Sequence, residues 1–121
     1  MSAIGDLLTG IAAQLTGAGV QATCDPKVFP QLVAQHGAAA LVEAPTPTGR
    51  LLPGRVDLSI PVWLCGATND LAGMEAVWAL VPTLIGALTV QGANPPGAWR
   101  YADLALPGYK FTVTRRLTTT L

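Results

Sequence analysis

Residues 55–88 read RVDLSIPVWLCGATNDLAGMEAVWALVPTLIGAL, and the reading of this stretch decides the fold. Its first third alternates. Val56, Leu58, Ile60, Val62 and Leu64 fall on one face, with Arg55, Asp57, Ser59, Pro61, Trp63 and Cys65 on the other, the period-two signature of a half-buried strand. Pro61 has no amide hydrogen to donate to a ladder, which predicts an edge position or a bulge. After Gly66, the polar Thr68, Asn69 and Asp70 supply helix-start chemistry. Leu71, Met74, Val77, Trp78, Val81, Leu84, Ile85 and Leu88 then recur at helical spacing, so the large apolar side chains share one half of a helix, with Leu80 at its margin.

The other half of that helix carries Ala72, Glu75, Ala76, Ala79, Pro82, Thr83, Gly86 and Ala87, small residues where a surface helix is ordinarily charged. Two readings stay open: this face meets another backbone closely, from the same chain or a neighbouring copy, or it is simply an alanine-rich face in water. Pro82 removes a donor mid-helix and predicts a kink.

Working outward, residues 2–15 read as a first helix, because Ile4, Leu7, Leu8, Ile11 and Leu15 share a narrow arc, and Gly17 and Gly19 stop it. Residues 20–24 form a short extended segment. Residues 26–37 admit either a short helix opening at Pro30 or an extended loop pinned by Phe29 and Leu32. Residues 38–44 predict a strand, and 45–53, PTPTGRLLP, a stiff loop whose Leu51 and Leu52 either dock onto a partner or fold back on the core. Beyond the central helix, 91–97 is a breaker-rich connection. Residues 99–106 and 109–118 then read as two strands turned at Pro107-Gly108. The expected fold is one α+β domain over residues 1–121, a mostly antiparallel sheet of about four to five strands with two main helices packed on one face.

Seven basic and seven acidic residues cancel, so a general attraction to nucleic acid or anionic membrane has no electrostatic support. The charges are unevenly placed: residues 1–99 hold three basic and six acidic groups, residues 100–121 four basic and one acidic. If those regions lie on different faces, copies attract head to tail, within a screening length of about 8 Å at physiological salt. Charged residues make up 12% of the chain against a usual value of about 25%, too few for a comfortable free monomer. Cys24 and Cys65, with no CxxC or Cys/His spacing, read as free thiols in a reducing compartment. Asp6 interrupts the N-terminal apolar run and no basic region precedes it, so no signal peptide is expected. Residues 71–90 approach the length of a membrane span, but Glu75, Pro82, the segregation of large from small side chains and the absence of flanking Lys or Arg clusters argue against one.

No catalytic chemistry is legible. His36 stands without an HxH or HExxH partner, and GxSxG, GxxxxGK[ST] and GxGxxG strings are absent. No spacing brings two of Glu43, Asp57, Glu75 and Asp103 onto one helix face. Arg115 and Arg116 point to opposite sides of a strand. Trp63, Trp78 and Trp99 read as core or interface anchors rather than stacking platforms. No metal or cofactor is expected.

Laid out this way, the chain resembles the tail terminator (tail completion, tail-to-head joining) proteins of long-tailed bacteriophages, as found in phages of actinobacteria. The likeness lies in the order and texture of IGDLLTGIAAQL, ALVEAPTPTGRLLPG, RVDLSIPVWLCG, MEAVWALVPTLIGAL and WRYADLALPGYKFTVTRRLT. The resemblance implies a non-enzymatic virion subunit that forms a ring, commonly of six copies, at the head-proximal end of the tail. It implies as partners the tail tube protein and the head's connector (stopper) protein, with no sequence-specific nucleic acid and no membrane. Arg50, Leu51 and Leu52, the connection from Asn94 to Trp99, and Arg115 or Arg116 are expected to serve subunit, tube or connector contacts. Two rivals remain: a small membrane-embedded protein built on residues 71–90, and a dimeric α+β module that encloses an apolar ligand.

Overall fold

The computed structural model describes residues 2–118, with the side chains of 49–52 outside the described set. In chain order the elements are α1 (Ala3–Gly17), β1 (Ala22–Thr23), α2 (Phe29–His36), β2 (Ala38–Val42), β3 (Thr46–Leu52), β4 (Arg55–Gly66), α3 (Leu71–Ala87), β5 (Val90–Ala93), β6 (Gly97–Tyr101) and β7 (Leu104–Thr118). The alternating stretch becomes β4, and it sits in the middle of the sheet. It pairs antiparallel with β7 from Arg55 opposite Thr118 to Cys65 opposite Gly108. Its other edge is shared end to end by β2 and β3. Outside β7 lie β5 and β6.

Because side chains alternate across a strand, β4 feeds two cores. Leu58, Ile60, Val62 and Leu64 are buried on one face with Ala38, Ala40 and Val42 of β2 and Phe111 and Val113 of β7, beneath α1 and α3. On the opposite face Cys65 joins Ala39 and Leu41, covered by Phe29 and Val33 of α2 and by Trp99 and Leu106. Each large side chain so buried contributes about 1.5–3 kcal/mol relative to exposure.

The expected four- to five-stranded, mostly antiparallel sheet with two helices on one face is corrected on three counts. Among the described residues the sheet has seven strands, it is mixed because β1 runs parallel to β2, and α2 packs on the face opposite α1 and α3. Of the two readings of residues 26–37, the helix is the one formed: Pro30 lies in its first turn, Phe29 and Val33 share its buried side, and Gly37 ends it at φ 81°. The added strands come from segments whose prolines and glycines argue for loops.

Three prolines lie inside strands, each where the ladder needs no amide from it. The Pro61 carbonyl accepts from the Glu43 amide at 2.9 Å, so the Pro61 nitrogen faces the joint between β2 and β3, where the ladder is interrupted. Of the two expectations for Pro61, an edge or a bulge, the edge is not met, since β4 is central, while a one-residue step in register lies opposite Pro61. Pro47 stands opposite Leu58, whose polar groups turn toward β7, so the Pro47 nitrogen looks to the outer edge of β3. The expected loop at 45–53 is accordingly an edge strand. Pro107 lies one residue beyond the last β4–β7 pair, Cys65 and Gly108.

The expected turn at Pro107-Gly108 is likewise corrected: both residues lie within β7, and the hairpin turns at Ala102-Asp103, with Ala102 at φ 53°. Gly108 is needed for close approach. A Cβ there would overlap the Leu64 carbonyl oxygen and come within 2.8 Å of the Cys65 Cα.

Both long helices open on a side-chain cap, the one at α3 within the polar run that the sequence marks. The Ser2 hydroxyl accepts from the Gly5 amide at 2.9 Å, and an Asp70 carboxylate oxygen accepts from the Gly73 amide and the Thr68 hydroxyl, each at 2.8 Å. Those bonds hold the Asp70 carboxyl below its ordinary pKa, the Gly73 amide contributing most. The Gln14 side-chain amide donates to the Ala87 carbonyl at 2.6 Å, tying α1 to the last turn of α3.

Two outcomes are expected. Gly108→Ala should lower unfolding stability in urea by about 3 kcal/mol, because both obstructing groups are backbone of the neighbouring strand. Gly92→Ala, whose Cβ meets nothing within 4 Å, should be far milder. For Asp70, the lowered folded pKa means the capping stabilisation is fully present above an unfolded pKa of about 3.9 and is lost as pH falls through the folded value. Asp70→Ala should therefore reduce the melting temperature at neutral pH, and the gap to wild type should close in strong acid.

Candidate functional site

α3 does not bury the half that the spacing of its large residues suggests. Gly73, Val77 and Leu84 are buried, with Ala76, Leu80, Val81 and Ala87 packed beside them. Leu71, Trp78 and Ile85 are left 70%, 42% and 49% exposed. These three are seven residues apart, hence nearly in line along the helix. Beside them run Ala72, Ala79 and Gly86, also exposed, and among the described residues nothing comes within 4 Å of a Cβ placed on Gly86. Among the described residues, then, no backbone packs against the small-residue face at Gly86.

The connection between β5 and β6 stands beside this stripe and is pinned where the Asn94 amide donates to the Lys110 carbonyl at 2.9 Å. Between them lies a groove of about 510 Å³, walled by Trp78, Pro82 and Ile85 on one side and Pro95 and Pro96 on the other, over Tyr109 and Phe111. The Trp78 indole N–H donates to the Tyr109 hydroxyl at 2.9 Å, fixing the aromatic wall to the floor. Among the described residues no carboxylate, amine, thiol or imidazole lines it, and its apolar, proline-bearing walls suit contact with surface of the same kind.

A second distinctive surface is the far end of the β4–β7 ribbon. Arg55, Arg115 and Arg116 gather there with one acid, Asp57, which accepts from Arg116 Nε at 3.0 Å. This is an exposed pair, worth about 0–1 kcal/mol. Arg115 shares the face of Leu58, whereas Arg116 and Asp57 lie on the other.

The residues anticipated for contacts are scattered. Asn94 is exposed at the groove, Arg116 and Arg115 lie at the ribbon end, and Trp99 is 4% exposed. Trp99 packs edge-on against Phe29 at 4.9 Å and stacks on Tyr101 at 5.6 Å, so it anchors the second core. Arg50, Leu51 and Leu52 belong to β3 by backbone, and their side chains lie outside the described residues. The groove itself was hidden because Trp78 and Ile85 count with the buried half by spacing, and Pro95-Pro96 read only as a break. The seven-residue recurrence of Leu71, Trp78 and Ile85 is the signal that marks it.

Among the described residues no group of three or more His, Cys, Asp or Glu side chains is placed to hold a metal ion, and no helix is long and apolar enough to cross a membrane. Cys24 and Glu43 border a smaller cavity of about 250 Å³, but burial raises the Cys24 pKa, which disfavours the nucleophilic thiolate. Cys65 lies on the other side of the sheet, its pKa pushed up to about 12, chiefly by burial. No protein-family model matches the chain, and no curated protein matches it in sequence.

With the two thiols on different faces, the native protein should show slow alkylation of Cys24 and none of Cys65. Both should react after unfolding, as read by mass spectrometry with and without denaturant.

Proposed function

We propose that this protein is a structural subunit of a phage virion, assembling as a ring of commonly six copies at the head-proximal end of the tail. It stops polymerisation of the tail tube and presents a surface to the head's connector proteins. The reading begins from the resemblance of its segments to tail terminators. The observation that carries it further is the exposed line of Leu71, Trp78 and Ile85 beside the apolar groove. Large side chains arrayed this way on a charge-poor surface favour a covered face over a bare one.

The proposed mechanism is geometric. One side of the ring matches the last ring of tube subunits, and the other lacks what would recruit another. Each contact is modest, and symmetry repeats it. No group transfer is required of the chain, in keeping with a groove lined by apolar, aromatic and amide side chains. That same groove gives the ligand-binding module its one specific support, since its volume falls in the range of small-molecule sites, about 300–1,000 Å³.

Particles assembled without this protein should show overlong tails, or tails detached from heads, by negative-stain electron microscopy. Tails of normal length joined to heads in its absence would reject the capping role.

A further inference from the structure

We propose that the groove beside α3 receives the basic β3–β4–β7 tip of a second copy of this chain. This inference rests on the ring reading above and names the surfaces that meet. Three observations carry it.

The first is placement. The groove floor is Tyr109 and Phe111, whereas the tip is built where Arg55 pairs with Thr118 and Leu58 with Arg115. From Phe111 to Leu117 is six residues of strand, about 20 Å. The two patches therefore cannot meet within one chain, and every copy carries both. A contact between unlike patches is heterologous and repeats from copy to copy, closing into a ring when the rotation allows.

The second is charge complementarity. Glu75 is the only charged residue in α3, it is exposed, and it lies three positions before Trp78; Asp70 caps the same helix. Lys110 shares the face of Trp63, away from the groove. The tip offers the opposite sign: Arg55 and Arg115, beside an Arg116 that already holds Asp57. Attraction between such patches acts at contact range, since screening limits it to about 8 Å at physiological salt.

The third is the chemistry of the edge. The Pro47 nitrogen faces the outer side of β3, so that edge is poorly suited to gaining another hydrogen-bonded strand. What the described residues of the tip offer a neighbour is Pro53 at the turn and the arginine side chains of β4 and β7. A groove walled by Trp78, Pro82, Pro95 and Pro96 suits that kind of surface.

The test uses the full-length chain in a Cys24→Ser background, both as concentrated protein and in assembled particles. One variant carries Ile85→Cys and the other Thr118→Cys. Oxidation should give an 85–118 linked dimer only when the two variants are mixed. Dimers linked 85–85, or no 85–118 link in either preparation, would overturn the contact. Charge reversal supplies a second readout: Glu75→Arg alone and Arg55→Glu alone should each lose assembly while circular dichroism stays native, and the double variant should regain it. Failure of the double variant to recover would count against the pairing of these patches. Capped tails of normal length without the 85–118 link would reject this contact and leave the capping role intact. An 85–118 link in protein whose removal leaves tails normal would do the reverse.

Discussion

The ladder between β4 and β7 is the constraint on which the molecule depends. It runs eleven register positions, from Arg55 and Thr118 to Cys65 and Gly108, and both of its faces are used. One face carries the alternating aliphatic row under α1 and α3, and the other reaches the smaller core under α2. A one-residue slip would exchange those faces and place Asp57 and Ser59 where Leu58 and Ile60 now lie. The absence of a side chain at Gly108 protects that register, since a Cβ there would overlap the Leu64 backbone of the neighbouring strand.

The rest of the sheet is arranged around this pair by what proline permits. Beside β4, β2 and β3 are separate strands because the chain steps out of register across residues 43–45, and Pro61 occupies the place on β4 opposite that step. Glu43 still donates to the Pro61 carbonyl, and the donor that Pro61 lacks falls where the two strands are out of step. Pro47 blunts the outer edge of β3 in the way edge strands are commonly protected against unwanted pairing. Secondary structure and surface behaviour are thus coupled through residues that look, in a linear reading, like mere interruptions.

Two properties of the surface follow from how α3 is seated. Its buried line runs through Gly73, Val77 and Leu84, which lets the helix approach the sheet closely and turns Leu71, Trp78 and Ile85 outward. The β5–β6 connection then faces those side chains across a groove in which Trp78 and Tyr109 hold each other by a hydrogen bond. Arginines gather at the opposite end of the ribbon. An apolar groove at one end of the β4–β7 ribbon and an arginine-bearing tip at the other make a molecule with two unlike ends, the asymmetry that head-to-tail contact between copies needs.

What the sequence by itself determined is local: the alternation along residues 56–64 and 109–117, the helical spacing of 4–15, and the helix-start chemistry of Thr68, Asn69 and Asp70. Each depends on groups within a few residues of one another, so period and cap residues suffice to read them. Only the tertiary structure decided that PTPTGRLL is a strand, that Pro107-Gly108 lies inside one, that α2 covers the second face, and that Trp78 faces out while Trp99 is enclosed. The reason is physical. Whether a proline breaks a strand depends on which side of it a neighbour stands, and which arc of an apolar helix is buried depends on where small residues allow another backbone to come near. Neither is a property of the segment alone.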